Sequence, residues 1–183
     1  MIEMSDKIRK LATMAVLVAV LAVCSQLAVP VGNVPITAQT AAVMLIALLL
    51  SPRYAALTVA VYILAGGVGL PFFANFKGGF GTLLGPTGGY LYGFVVAAAL
   101  ISWLAGNKAG SGFSWLRSVL ACCAGLAFVY LFGAVQLKML LDLTSYGAAF
   151  ALGGIPYIFF EPIKIAVAVV AAKMLNTRGL SRF

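Results

Sequence analysis

The chain has 183 residues, 63% of them hydrophobic and 9% charged, with a mean hydropathy of +1.11. A water-soluble domain needs far more charge on its surface, so composition excludes that class and leaves an integral membrane protein. The net charge of +8 does not point to nucleic acid, because the basic residues are scattered singly or in pairs with no basic face interleaved with aromatics.

In chain order, residues 1–10 are charged and no small-residue cleavage site follows the first apolar run, so no removable signal peptide is expected. Residues 11–52 hold no charge over 42 positions, which is room for two spans at about 20 residues each. Hydropathy places six spans, at 7–28, 40–50, 53–70, 88–104, 116–140 and 155–175, in one membrane domain covering residues 1–183. With the N-terminus inside, Lys7, Arg9, Lys10, Arg53, Lys108, Arg117, Lys173, Arg178 and Arg182 fall on the cytoplasmic side, against only Lys77 and Lys138 outside. That is a positive-inside bias, with Trp103 and Trp115 as inner-interface anchors.

Within the first span, Ala12, Ala15, Ala19 and Ala22 recur at helical spacing. Small residues one turn apart let helix backbones approach closely, either inside the chain or against a partner. Gly89 and Gly93 repeat the pattern in the fourth span, where packing within the chain is the expected use. The prolines Pro30, Pro35, Pro71, Pro86 and Pro156 map to the outer side. Residues 71–89 hold six glycines among Phe72, Phe73, Phe76 and Phe80, a combination that suits a lid over a pocket.

The last span carries Glu161 and Lys164. A charged side chain at mid-membrane costs about 2.5–3.5 kcal/mol, so such a pair is expected to face a cavity. Spaced i, i+3, the two point to the same side of a helix. A helix starting at Ile155 puts Lys164 nine residues in, about 13 Å deep at 1.5 Å per residue, on the floor of an outward cavity. Pro162 frees a backbone carbonyl one turn earlier, which also suits a cavity wall. A structural ion pair locking helices together is the alternative.

Other polar candidates cluster on the same outer half: Asn33, Thr37, Gln39 and Thr40, then Asn75 and Lys77 in the glycine-rich loop, then Thr87 and Tyr90. No histidine is present, which removes imidazole ligands and bases. Cys24, Cys122 and Cys123 sit in apolar runs as packing residues. No lysine follows a glycine, so no phosphate-binding loop is present. Transport by this chain would draw on an ion gradient or on a partner that hydrolyses ATP.

Four blocks carry a resemblance to a known family: Val34-Pro35-Ile36-Thr37-Ala38-Gln39-Thr40, Gly69-Leu70-Pro71-Phe72-Phe73, Gly78-Gly79-Phe80, and Leu84-Gly85-Pro86-Thr87-Gly88-Gly89-Tyr90-Leu91-Tyr92-Gly93. They resemble the BioY family, the biotin-binding S components of energy-coupling factor vitamin transporters. The resemblance covers most of the chain. It implies an all-α polytopic membrane protein of six transmembrane helices, with the glycine-rich outer loop capping a pocket. It also implies a prokaryotic cell membrane, both termini cytoplasmic, and as partners a transmembrane coupling protein and two cytoplasmic ATPases. Alanines of the first helix contact that coupling protein in S components, which maps onto Ala15 and Ala19. The family's acid-x-x-Lys motif, in which the acid is usually aspartate, maps onto Glu161 and Lys164.

Biotin, as a transported ligand rather than a cofactor, matches the polar inventory. Its ureido ring offers two N–H donors and an acceptor, its thiophane ring is apolar, and its tail ends in a carboxylate. Glu161, Lys164, Asn75, Gln39, Thr37, Thr87, Tyr90 and the aromatic Phe76 are the expected ligand contacts, with Lys77 placed to meet the tail. Three other readings stay open at this point: an S component for another small vitamin, an intramembrane enzyme with Glu161 as base, and a purely structural assembly subunit. The enzyme reading lacks a second acid, a histidine and a metal set.

Overall fold

The computed structural model describes residues 2–30, 34–106 and 113–177, so Asn33, Lys108, Arg178 and Arg182 lie outside the described residues. The chain forms helices α1 (Ile2–Gln26), α2 (Gln39–Leu49), α3 (Pro52–Gly67), α4 (Phe80–Leu84), α5 (Gly88–Ala105), α6 (Trp115–Leu140), α7 (Tyr146–Gly153), α8 (Ile155–Ile158) and α9 (Glu161–Thr177). A two-residue antiparallel pair, β1 (Ala28–Val29) with β2 (Ile36–Thr37), closes the α1–α2 connection in the register Ala28 to Thr37.

The interior and exterior are both apolar. Helix α2 is buried on nearly all sides, from Ala42 through Leu50, because α1, α3, α5 and α9 all pack around it. Outward-facing positions carry Leu11, Val16, Leu57, Val61, Trp103, Leu120, Ile163 and Val167, each at least 47% exposed. Apolar surface of that extent is incompatible with water and belongs against lipid tails. By length and composition, the stretches Lys7–Gln26, Gly88–Ala105 and Trp115–Leu140 can each cross a membrane, while α2, α3 and α9 are shorter, at 11, 16 and 17 residues.

Two ends of the bundle differ. Lys10 lies 5.8 Å from the Tyr54 ring centroid, Lys173 lies 4.5 Å from that of Trp115, and Arg117 Nε donates to the Leu104 carbonyl at 2.6 Å. These contacts gather Lys10 of α1, Arg117 at the start of α6 and Lys173 near the end of α9 at one end, beside the first residues of α3 and α6. The opposite end holds the β pair, the glycine-rich loop, and the α7–α9 segment.

That last segment departs from the continuous helix over 155–175 expected from hydropathy. Helix α8 ends at Ile158, Phe159 and Phe160 form a turn, and α9 starts at Glu161. Pro162 explains the break: it has no amide to bond Ile158, and its ring clashes with that carbonyl, but it is tolerated in the first turn of a new helix. Glu161 therefore opens a helix, where its negative charge also meets the positive end of the helix dipole. Helix α7, absent from the hydropathy reading, starts on the Ser145 cap, whose hydroxyl accepts the Ala148 amide at 3.1 Å.

Helices α5 and α6 make the most intimate contact. A Cβ at Gly89 would lie 2.4 Å from the Phe132 carbonyl oxygen, and one at Gly93 would lie 2.9 Å from Val129 Cα. This glycine pair thus serves packing inside the chain, whereas Ala15 and Ala19 face outward. The contrast is testable: Gly93→Leu should lower the melting temperature in detergent, consistent with an overpacking cost of about 1–3 kcal/mol or more. Ala15→Leu should leave it nearly unchanged.

Candidate functional site

At the end away from the basic cluster lies a cavity of about 290 Å³, at the small end of ligand pockets. Its wall draws on every part of that end. The β pair and the start of α2 supply Val34, Thr37, Gln39 and Thr40; the glycine-rich loop supplies Phe73, Asn75, Lys77, Pro86 and Thr87. Tyr90, Leu91 and Phe94 come from α5, Val129 and Tyr130 from α6, and Gly153, Tyr157, Glu161 and Lys164 from the α7–α9 segment.

Glu161 is 5% exposed, and its Oε1 collects the donors. Lys164 Nζ donates to it at 2.9 Å, Tyr130 Oη at 3.0 Å and Thr40 Oγ1 at 3.3 Å. These groups come from α9, α6 and α2, so one carboxylate oxygen ties three helices together. Charge-assisted bonds of this kind are stronger than neutral ones. Oε2 is buried and has no partner among the described residues. A buried carboxylate with one oxygen crowded by donors and the other bare retains the capacity to accept an N–H.

Aromatic side chains shape the remaining wall, and their hydroxyls are spent on backbone. Tyr90 donates to the Gly153 carbonyl at 2.9 Å, and Tyr157 donates to that of Val34. The Tyr130 ring meets Tyr90 and Phe150 edge-on, at 6.3 Å in each case. Gln39 is similarly engaged: Nε2 donates to Tyr62 Oη at 2.7 Å, Oε1 accepts from Thr37 Oγ1 at 3.0 Å, and Tyr62 passes the chain on to the Phe72 carbonyl at 2.9 Å.

The glycine-rich loop is fastened at both ends. Phe73 is buried, edge-on to Tyr62 at 5.7 Å, and occupies the space a side chain at Gly66 would need. Downstream, Gln136 Nε2 donates to the carbonyls of Leu83 and Gly85, at 3.0 and 2.7 Å. The tip between these anchors carries Asn75 and Lys77 to the cavity wall.

The structure thus brings Glu161, Lys164, Asn75, Lys77, Gln39, Thr37, Thr87 and Tyr90 onto one wall. Phe76 is not part of it; its side chain is 72% exposed and its backbone takes a positive φ of 56°. Sequence reasoning missed Tyr130, Tyr157 and Gln136. The available signal was a polar group inside an apolar span, which needs a partner, but no local spacing links Tyr130 to Glu161. Chemically, the cavity offers an apolar and aromatic body, a carboxylate acceptor and two ammonium groups. That set suits a small ligand with an apolar core, N–H donors and an anionic end.

Comparison with known proteins follows the same line. A family model described as the BioY family matches residues 1–180. The chain is 37% identical over 174 residues to a "Biotin transporter BioY" of Thermotoga maritima, covering 95% of this chain and 99% of the relative. It is 35% identical to a "Probable biotin transporter BioY" of Pyrococcus horikoshii, covering 93% and 98%. Among solved structures it resembles the S-component for biotin from an ECF-type ABC transporter, with a TM-score of 0.83 and 26% identity over 94% of this chain and 93% of that one.

The Glu161 cluster makes a prediction independent of any ligand. Lys164→Met strands a buried charge, which typically costs about 3–5 kcal/mol, so the melting temperature should fall well below that of the parent. Adding Glu161→Gln to the same chain should recover most of the loss, as read by differential scanning fluorimetry.

Proposed function

The chain belongs to the BioY family, and from its site we propose that it binds biotin as the specificity subunit of an ATP-driven importer. It is a multi-pass membrane transport component and not an enzyme. The observation that carries the reading is the Glu161 carboxylate, with three donors on Oε1 and, among the described residues, none on Oε2, set in the wall of a small aromatic cavity.

In this reading the ureido N–H groups seek the free carboxylate oxygen, which Lys164, Tyr130 and Thr40 hold in place. The thiophane ring lies against Tyr90, Phe94 and Tyr157. Lys77, exposed on the loop that caps the cavity, neutralises the tail carboxylate. Asn75 completes the polar rim, while Gln39 and Thr37 brace the wall through each other and Tyr62. The polar contacts are hydrogen bonds or charge pairs, which a low-dielectric pocket strengthens relative to water.

The crossings are α1, α2, α3, α5, α6 and the α7–α9 stretch, six in all, within one membrane domain. The basic end faces the cytoplasm and the cavity faces out, with both termini inside and the plasma membrane of a prokaryote as the site. Energy comes from two cytoplasmic ATPases through a transmembrane coupling protein, and the outward alanines Ala15 and Ala19 form the docking face for that coupling protein.

Isothermal titration tests the ligand. Biotin should bind the purified protein, and Glu161→Ala should weaken it at least tenfold while the chain still inserts. Binding unchanged by that substitution overturns the site; protection from thermal unfolding by another vitamin and not by biotin overturns the ligand. Ala19→Trp should separate binding from transport, abolishing assembly with the coupling protein and ATP-dependent uptake while isolated binding survives. A parallel loss of binding and melting temperature would place that stripe inside the subunit instead.

A further inference from the structure

The loop tip over the cavity takes a shape its own residues do not favour. Asn75 and Phe76 both have positive φ, 58° and 56°, in succession and without glycine. L side chains rarely adopt that region, and such residues persist where their surroundings hold them. The turn is closed from within by the Phe73 amide on the Lys77 carbonyl at 2.9 Å. From outside, among the described residues, one side chain bonds the segment from Phe73 to Lys77, and it is Gln26.

Gln26 ends α1 and uses both sides of its amide on loop backbone. Nε2 shares its two N–H groups among the carbonyls of Pro71 at 3.1 Å and Phe73 at 3.2 Å and Ser25 Oγ at 2.8 Å, and Oε1 accepts the Phe76 amide at 2.8 Å. Neighbouring bonds stop short of the tip: Ser25 and Tyr62 both donate to the Phe72 carbonyl. Gln26 itself does not line the cavity. It therefore fixes the loop's shape, not its side-chain chemistry, and that shape sets where Asn75 and Lys77 stand.

The geometry points to Gln26 as a positioning residue for the capping loop, one that holds Asn75 and Lys77 in ligand-binding register and slows ligand release. This rests on the biotin-binding reading. Gln26 also lies seven residues beyond Ala19 and eleven beyond Ala15, close to whole turns at 3.6 residues each, so it prolongs the outward alanine stripe. A partner packed along that stripe would end beside the latch.

The test uses the full chain with Gln26→Ala and Gln26→Glu. Hydrogen exchange of ligand-free protein reads the latch directly: Gln26→Ala should speed exchange of the peptide covering residues 73–77 at least tenfold, at a melting temperature close to the parent's. Gln26→Glu keeps the acceptor for the Phe76 amide but loses both donors, so its exchange should lie between the two. Biotin dissociation, followed by stopped flow, should speed at least tenfold in Gln26→Ala and by less in Gln26→Glu. Parental exchange in both variants overturns the latch. Faster exchange with parental dissociation shows a loop brace with no hold on the ligand and overturns the positioning role. Should Gln26→Ala not fold, Gln26→Glu decides by the same criteria. A parent chain that fails to bind biotin refutes the ligand reading, and hydrogen exchange still judges the latch.

Discussion

A carboxylate buried among apolar helices must be given donors, and the cavity end of this protein is arranged around that requirement. Glu161 takes its donors from Lys164 on its own helix, from Tyr130 on α6 and from Thr40 on α2. In lipid, helices gain little from the hydrophobic effect when they associate, so directional bonds between them matter more to which helix sits where. The cluster supplies such bonds and leaves one oxygen without a partner among the described residues. In the proposed reading, structural anchor and ligand acceptor are the same side chain: the bonds on Oε1 tie the helices, and Oε2 is the acceptor offered to the ligand.

The cavity exists because the chain stops being helical at that end. Pro162 breaks the last helix so that Glu161 lies at a helix start, the β pair interrupts the approach to α2, and residues 68–79 replace a simple turn between α3 and α4. Irregular backbone at membrane depth has to be satisfied by protein. Here it is satisfied by side chains reaching from the regular helices: Tyr90 to Gly153, Tyr157 to Val34, Tyr62 to Phe72, Gln136 to Leu83 and Gly85, and Gln26 to three positions of the capping loop. The polar atoms that line or flank the pocket thus fall into two groups. One group is committed to holding backbone or neighbouring side chains; the other, chiefly Glu161 Oε2, Asn75 and Lys77, is the group the proposed function assigns to a ligand. Under the proposed biotin-binding reading, this division gives a small ligand few but fixed contacts, which reduces the ordering cost of binding.

The membrane class, the helical architecture, the family and most of the polar residues of the cavity wall were legible in the sequence alone. Composition settles the class because so much apolar surface has no place in water. The blocks around Thr37, Phe73 and Tyr90 and the Glu161–Lys164 spacing are local patterns, readable in a short window, and they reach the cavity because each sits at the cavity end of its element. The glycine pair Gly89 and Gly93 was legible as a packing motif for the same reason. Only the tertiary structure decided what depends on long-range meetings: Tyr130 reaching Glu161 across 31 positions, Gln136 on the loop, Gln26 beneath its tip, and Phe76 turned outward by a positive φ. The break at Phe159 and Phe160 belongs here too, since hydropathy averages over a window that a proline interrupts at one residue. A hydrogen bond between distant residues leaves no spacing in the chain; it is fixed when packing α5 against α6 and α9 against α2 sets which polar groups face each other.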